Sequence, residues 1–260
     1  VGAMYVTDVL TMYIAKGKDF GCNGVLDYEG QLSARSALIS FAEILKDASA
    51  KYLDIDPIEL KVGIQKKKEM GCTTAQIFMA DALENGAGYT RHMYNMEKLK
   101  EVLTNYYSDL LNSWESERHS NCDRSCYECL RNYSNRYLHP NLDWRLGLDL
   151  CEIALGINLN TNRWLDQSES TANIFKNLCQ SYDIPTNIEY LGGLIGIKNK
   201  DKNKGLILSH PLWHTREGLI QDQQDEAKME LVNKYPNINY EYIDIRDLQH
   251  RPQNYILKIM

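Results

Sequence analysis

Apolar residues in the first part of the chain follow two different spacings, which predict helices alternating with strands. Between Gln31 and Leu53 they recur every three or four positions, the spacing of a helix that buries one face. The segment from Thr73 to Leu83 is largely apolar, as expected for a buried strand. The same patterns predict strands at Ala3–Ile14 and Glu59–Ile64, a basic turn at Lys66–Lys68, and helices at Met93–Trp114 and Asn141–Leu155.

The pattern changes after about residue 157, where the polar segment Asn158–Ser170 predicts a loop. Helices are predicted beyond it at Thr171–Tyr182 and Gln221–Lys234, and strands at Ile188–Ile197, Gly205–Leu208 and Tyr240–Ile245. The predicted fold class is therefore mixed α/β in two domains. A helix-rich domain with a small sheet occupies residues 1–157, and a small α/β unit occupies residues 158–260.

The composition is typical of a globular protein without a membrane segment. Of its 260 residues, 43% are hydrophobic and 25% are charged. No run of 18 apolar residues and no signal peptide occurs, so we expect a cytoplasmic protein with no membrane partner. Seven cysteines, an odd number, fit a reducing compartment. Because the sequence begins within a predicted strand and without methionine, we expect it to be part of a longer protein.

One short segment has the composition and spacing of a metal site. It reads His119-Ser-Asn-Cys122-Asp-Arg-Ser-Cys126-Tyr-Glu-Cys129. Closely spaced thiolates and an imidazole are ligands that structural Zn²⁺ prefers, so we predict zinc bound by Cys122, Cys126 and Cys129. His119 is favoured as the fourth ligand because a short loop costs less to close, and His139 is the alternative.

Such a zinc ion would be structural. Four protein ligands leave no open coordination position, so we expect no hydrolytic chemistry at the metal. The ion would instead stabilise the crossover at 115–140, which has few apolar residues of its own, and with it the helix-rich domain.

Several segments, taken together, resemble one protein family. They are Thr7-Asp-Val-Leu10, Glu84-Asn-Gly-Ala-Gly-Tyr89, the run from Cys122 to Asn135 with His139 after it, and Leu142-Asp-Trp-Arg-Leu146. The combination resembles the zinc-binding domain of MrfA-type superfamily-2 DNA helicases of the DEAD/DEAH type, over roughly residues 3–155. Related helicases occur in phage-defence systems such as DISARM and Druantia. Many members have four cysteines in this cluster, where the present chain has three.

The resemblance implies a role outside the helicase motor. In this family the domain follows two motor domains of the same chain. The present sequence has neither a G-x-x-x-x-G-K-[ST] loop nor a D-E-x-[DH] box, so ATP is expected only in the parent chain's motor domains. The expected role is that of a non-catalytic C-terminal region of a DNA helicase in phage defence or DNA repair. It would guide DNA or dock a partner protein of the defence system.

Arginines and tyrosines are interleaved around the predicted zinc loop. Arginine neutralises phosphate, and aromatic rings stack on the bases of single-stranded DNA. We predict weak DNA binding through Arg124, Arg131 and Arg136, with Tyr127, Tyr133 and Tyr137 beside them. The alternative is a solvated basic surface with no ligand. Because the net charge is −6, any attraction to DNA has to be local.

A glycine-rich turn follows the second apolar strand. Gly86 and Gly88 stand where a strand leads into a helix, so their backbone N–H groups could contact a phosphate. The alternative, favoured for so short a motif, is a tight turn that lets helix and strand pack closely.

Two weaker patterns leave enzymatic alternatives open. Glu59-Leu-Lys61 has the E-x-K spacing of metal-dependent nucleases, although an ordinary amphipathic strand is the favoured interpretation. His210, His214 and His250 could form a second metal site, but no acidic residue stands at a compelling spacing. The alternatives to DNA guidance are therefore a nuclease-like second domain that acts on unwound DNA, and a protein-docking module.

Overall fold

The structure, a computed structural model, describes residues 6–14, 26, 28–29, 31–69, 72–216 and 218–260. This part of the chain forms two compact units, the first ending at Leu159 and the second continuing from Asn160. Helices account for 48% and strands for 19% of the structure, in two small sheets, which confirms the predicted mixed α/β fold class. Over the described ranges, no helix has both the length and the apolar character needed to cross a membrane.

The first unit combines a three-stranded antiparallel sheet with helices. Its strands are β1 (Val9–Met12), β2 (Leu60–Glu69) and β3 (Cys72–Asp81), and its helices are α1 (Ala34–Leu53), α2 (Tyr89–His92), α3 (Met96–Trp114) and α4 (Trp144–Leu155). The strand order is β1-β3-β2. Two 3-10 turns, Glu117–His119 and Arg136–Asn141, lie in the connection from α3 to α4.

The core of this unit forms around α1, which is buried along most of its length. The helix packs against α3, α4 and the sheet through side chains such as Leu38 and Ile44. Burial of such side chains contributes about 25 cal/mol per Å² of apolar surface. Gly147 lets α4 approach closely, because a Cβ there would lie 2.8 Å from Cδ1 of Ile44. The start of α4, and the loop before it, are therefore held against α1.

Two strands of the first unit differ from the prediction. β1 is shorter than the strand predicted at 3–14, of which residues 3–5 lie outside the described part of the chain. The turn predicted at Lys66–Lys68 is wrong, because β2 continues through these residues to Glu69 and pairs them with Ala75, Thr74 and Thr73. β2 is an edge strand, and exposed lysines on such a strand discourage pairing with another chain.

The second unit contains a four-stranded mixed sheet. In chain order its elements are α5 (Leu165–Gln180), β4 (Thr186–Leu191), β5 (Leu194–Asn199), β6 (Lys204–Ser209), α6 (Asp222–Lys234), β7 (Asn239–Asp244), α7 (Ile245–His250) and α8 (Gln253–Ile259). β4, β5 and β6 pair antiparallel, whereas β6 and β7 pair parallel and are joined through α6. Every residue of β5 is buried, as expected for a central strand.

Two predictions for this unit were wrong. The single strand predicted at Ile188–Ile197 is the hairpin of β4 and β5, which turns at Gly192 and Gly193 with φ values of 54° and 81°. Glycine adopts such angles readily. The loop predicted at 158–170 includes the start of α5, where the Ser168 hydroxyl donates to the Trp164 carbonyl. The polar composition of this segment predicted a loop, but in the structure polar side chains such as that of Ser168 form hydrogen bonds within the helix itself.

Candidate metal centre

The predicted zinc ligands lie in the connection between α3 and α4. Trp114, the last residue of α3, and Trp144, the first residue of α4, both contact the ring of His119, with centroid separations of 6.5 Å and 5.0 Å. Leu130 and Leu142 are buried within the same connection. Two helix ends therefore fix the position of the loop, although most of its residues are polar.

The structure brings His119, Cys122, Cys126 and Cys129 together, and their possible ligand atoms all lie within 4.8 Å of one another. The Sγ of Cys129 lies 4.0 Å from that of Cys122 and 3.7 Å from that of Cys126. Zinc–sulfur bonds of about 2.3 Å at tetrahedral angles separate two sulfurs by about 3.8 Å. The sulfur positions therefore have the separation that a tetrahedral zinc ion requires.

The surroundings of His119 leave one ring nitrogen available to a metal. Its Nδ1 lies 2.8 Å from the carbonyl oxygen of Trp114, and a carbonyl can only accept, so Nδ1 carries the proton and donates it. The opposite nitrogen, Nε2, is buried and has no hydrogen-bond partner. A metal-binding histidine is commonly held in this way, with one nitrogen donating to an oxygen and the other facing the ion.

The cysteine thiols lie where a cation would change their protonation. Burial, and next the neighbouring Cys129, raise the pKa of Cys122. Burial raises the pKa of Cys129 to about 11. Hydrogen bonds from backbone N–H groups act in the opposite direction, and one of them comes from the Cys126 nitrogen, which lies 3.0 Å from the Cys129 Sγ. A bound metal ion deprotonates such thiols, because it interacts with the thiolate form. Three sulfurs and one nitrogen in a closed group are the donor set of a structural zinc site.

Residues at the start of α4 support the loop from outside the cluster. The indole Nε1 of Trp144 donates to the Cys122 carbonyl at 3.1 Å, and Nη1 of Arg145 donates to the Asp123 carbonyl at 2.6 Å. Asp143 caps α4 by accepting from the backbone N–H of Arg145. Trp144 and Arg145 belong to the motif that carries the family resemblance, but their contacts with the loop depend on the fold and not on any spacing in the sequence.

His139, the alternative fourth ligand, does not belong to the cluster. Its Nε2 lies 3.1 Å from both the Asn132 carbonyl and Oδ1 of Asn135, and its ring packs edge-on against Tyr127. Asn135 in turn donates to the buried carboxylate of Glu43 on α1. His139 thus contributes to the packing of the loop against α1.

The glycine-rich turn binds a carboxylate of the chain itself, which corrects the phosphate hypothesis for Gly86 and Gly88. The backbone N–H groups of Ala87 and Gly88 each donate to Oδ2 of Asp81 at 2.7 Å, and that of Thr90 donates to Oδ1 at 2.9 Å. The N–H of Gly86 donates to the Leu83 carbonyl. The donors that a phosphate would need are therefore already engaged.

The three arginines predicted to contact DNA differ in their surroundings. The side chains of Arg124 and Arg131 are half-buried. Nε of Arg124 lies 3.6 Å from the buried carboxylate of Asp143, and Nε of Arg131 donates to the Ser125 hydroxyl. Arg136 is exposed, and its guanidinium lies 5.2 Å from the ring centre of Tyr133. The side chains of Tyr127, Tyr133 and Tyr137 are between 73% and 80% exposed. Arg136 and the tyrosines are thus the accessible part of this surface.

The patterns behind the nuclease alternative do not converge on a second metal site. Glu59 ends a 3-10 turn and accepts a hydrogen bond from the Tyr89 hydroxyl, whereas Lys61 lies on β2. His210 is buried, and its Nδ1 accepts from the backbone N–H of Leu212. Within the described ranges, the zinc cluster is the one group of at least three His, Cys, Asp or Glu side chains able to hold a metal ion.

These features are those expected of a zinc-binding domain. Residues 41–130, which include the whole cluster, match the family model of the MrfA Zn-binding domain. Over residues 41–130 the chain is therefore similar to an MrfA-like zinc-binding domain, which confirms this part of the resemblance found in the sequence.

Two known proteins are similar to parts of this chain. The Druantia protein DruE of Escherichia coli (strain UMEA 4076-1) is 31% identical over 162 residues, which are 60% of this chain and 8% of DruE. The chain thus spans a small fraction of that relative's length. A crystal structure of the DUF1998 helicase MrfA bound to DNA is similar with a TM-score of 0.31 and 17% identity, over 42% of this chain and 14% of that one.

Proposed function

We propose that this chain is a non-catalytic region of a larger superfamily-2 DNA helicase, in which zinc bound by Cys122, Cys126, Cys129 and His119 holds the connection between α3 and α4. The observation that carries the zinc assignment is the buried, unpartnered Nε2 of His119 beside three cysteine sulfurs. Without an ion, this nitrogen would be a buried polar atom left unsatisfied, which costs about 1–3 kcal/mol.

Substitution of one cysteine tests the structural role. Cys126→Ser should release the zinc and unfold the 115–140 segment, because binding of structural zinc contributes on the order of 10 kcal/mol of folding free energy. Elemental analysis measures zinc per chain, and hydrogen exchange measures protection of the segment. Cys179→Ser is the matched control, since Cys179 is a buried free thiol of the second unit. Zinc retained at full occupancy in Cys126→Ser would overturn the ligand assignment.

The helicase context rests on the family of the zinc domain and on the similarity to DruE. We infer that the parent chain contains motor domains that bind ATP, and that this region works beside them in phage defence. DNA repair is the alternative biological setting. A metal-dependent nuclease would need a group of acidic metal ligands, and the described residues contain no such group. We therefore favour a non-catalytic role over the nuclease alternative.

We further propose that the exposed part of the zinc loop guides DNA. Arg136 would neutralise a phosphate, and Tyr127, Tyr133 and Tyr137 would stack on bases of single-stranded DNA. Arg124 and Arg131 would support the loop from within, given their contacts with Asp143 and Ser125.

The salt dependence of DNA binding separates these contributions. Arg136→Ala should reduce the slope of log affinity against log salt by about 0.7 to 0.9, because one phosphate contact is lost. Tyr133→Ala should weaken single-strand binding at every salt concentration, by about 1–3 kcal/mol, with little change in slope. Lys202→Ala, a change of an exposed lysine in the second unit, is the control for net charge. If Arg136→Ala and Lys202→Ala have equal effects, the zinc loop is not the contact.

A further inference from the structure

A cleft of the first unit has features of a ligand site that the zinc cluster does not explain. It has a volume of about 660 Å³ and lies between α1, the 3-10 turn Pro57–Glu59, α3 and the end of the zinc loop. Six of its lining residues matter for its chemistry: Asp47, Lys51, Ile58, Tyr106, Asn132 and Tyr133. The cleft thus combines two acidic groups, Asp47 and Asp56, and one lysine with aromatic, amide and apolar groups.

Asp47 is the partly buried acid of this cleft, and among the described residues its carboxylate accepts no hydrogen bond. Nearby cations are committed elsewhere. Nζ of Lys46 lies 2.7 Å from the buried carboxylate of Glu43, and Nζ of Lys51 lies 2.7 Å from Asp109 on α3. Asp47 therefore faces the cleft without a counter-ion of its own.

The electrostatic surroundings of Asp47 agree with this geometry. Burial raises the pKa of Asp47 to about 6. The positive charge of Lys46 lowers this pKa, whereas the negative charge of Glu43 on the same helix raises it further. On α3, burial and then the charge of Asp47 raise the pKa of Tyr106. At neutral pH the carboxylate is thus ionised but poorly stabilised, and a cation that entered the cleft would stabilise it.

The remaining lining fits a planar cation. Tyr133 is 80% and Ile58 is 66% exposed, and they offer the cleft an aromatic face and an apolar surface. A guanidinium group can bind a carboxylate through two parallel hydrogen bonds while its face lies against an aromatic ring. Asp56, also in the lining, adds a second negative charge, which disfavours phosphate and nucleic acid.

We propose that this cleft binds an arginine side chain of a partner protein, with its guanidinium on Asp47 and its face against Tyr133 or Tyr106. The choice of an arginine follows from the negative charge of Asp47, which favours a cation, and from the rings of Tyr106 and Tyr133, which favour a planar group. The site is independent of the proposed zinc function, since none of the four clustered metal-site residues lines the cleft, but it shares Tyr133 with the proposed DNA surface.

The probe for this site is N-acetyl-arginine methylamide, titrated into the full chain and followed by NMR. We expect saturable shifts of resonances from the cleft residues. Asp47→Asn should weaken binding at least about tenfold, because it removes a charge-assisted pair. Asp54→Asn is the matched control, since it removes an exposed carboxylate at the end of the same helix, outside the cleft lining, and should leave binding unchanged.

The corresponding citrulline derivative has the shape of arginine without its charge, and it should bind at least about tenfold more weakly. Equal binding of citrulline, or binding that Asp47→Asn leaves intact, would overturn the proposal. If guanosine saturates the cleft and the arginine probe does not, the occupant is a nucleobase and the assignment to a protein partner is wrong. No shift with any probe also contradicts the site, because the full chain presents the cleft as described.

Discussion

A histidine binds a metal through a ring nitrogen that carries no proton, and an oxygen near the other nitrogen fixes that state. The Trp114 carbonyl does this for His119, whereas Nε2 of His139 lies between two oxygens, from Asn132 and Asn135. Sequence spacing favoured the nearer histidine on the cost of loop closure. The contacts that distinguish the two histidines come from a helix end and a turn, and no spacing rule could have predicted them.

Asp47 provides a test of the proposed cleft that needs no ligand. Its pKa is raised from 3.8 to about 6, so it contributes stability below pH 4 that is lost as the pH rises through 6. Asp47→Asn should therefore raise the free energy of unfolding at pH 7.5, by up to about 3 kcal/mol, and roughly half as much at pH 5. Denaturant unfolding at the two pH values measures the difference.

Asp54→Asn controls for the lost charge, since Asp54 is exposed. Its effect should be within about 0.5 kcal/mol at both pH values. An Asp47→Asn variant that is less stable than the parent at pH 7.5 would show that the carboxylate is structurally paired, and it would remove the reason for a cationic ligand.

At the scale of elements, the turn after β3 is organised by Asp81. Burial raises the pKa of Asp81, but hydrogen bonds from Thr90, Ala87 and Gly88 outweigh it, so the pKa is lowered and the ionised form is stabilised. The Thr7 hydroxyl also donates to the Asp81 carbonyl, so the turn fixes the segment that leads into β1. The motifs around Thr7 and Gly88 are thus parts of one structure.

Asp81→Asn should destabilise the first unit by roughly 2–4 kcal/mol, because an amide offers a single uncharged acceptor where the carboxylate receives four N–H groups. Asp109→Asn is the control, since its ion pair with Lys51 is exposed and worth about 1 kcal/mol or less. Thermal unfolding of the two variants compares them. Equal melting temperatures would contradict the role assigned to Asp81.

Periodicity predicted the long elements better than the short ones. α1 and α3 have an apolar face over several turns, so spacing alone indicated them. The β4–β5 hairpin was read as one strand because an apolar run continues through its two-glycine turn. The short helices α7 and α8, of six and seven residues, have too few turns for a detectable period.

At the scale of the whole molecule, the proposed zinc ion and side-chain packing act on the same connection of the first unit. The loop between α3 and α4 has few apolar residues, and Glu43 on α1 is bonded to its Asn135. In this proposal, a metal ion and buried polar contacts such as this one together hold a segment that hydrophobic burial alone would not. The cysteine spacing predicted the metal, but the contacts of the loop with α1 depend on residues 92 positions apart, which no local pattern reveals.

The central claim is that Cys122, Cys126, Cys129 and His119 bind one zinc ion. X-ray absorption spectroscopy of the purified chain at the zinc edge tests it most directly. We expect one zinc per chain, with three sulfurs at about 2.3 Å and one nitrogen at about 2.0–2.1 Å, and with the nitrogen lost in His119→Ala but kept in His139→Ala. A chain without zinc, a site of four sulfurs, or a nitrogen that survives in His119→Ala would contradict the account.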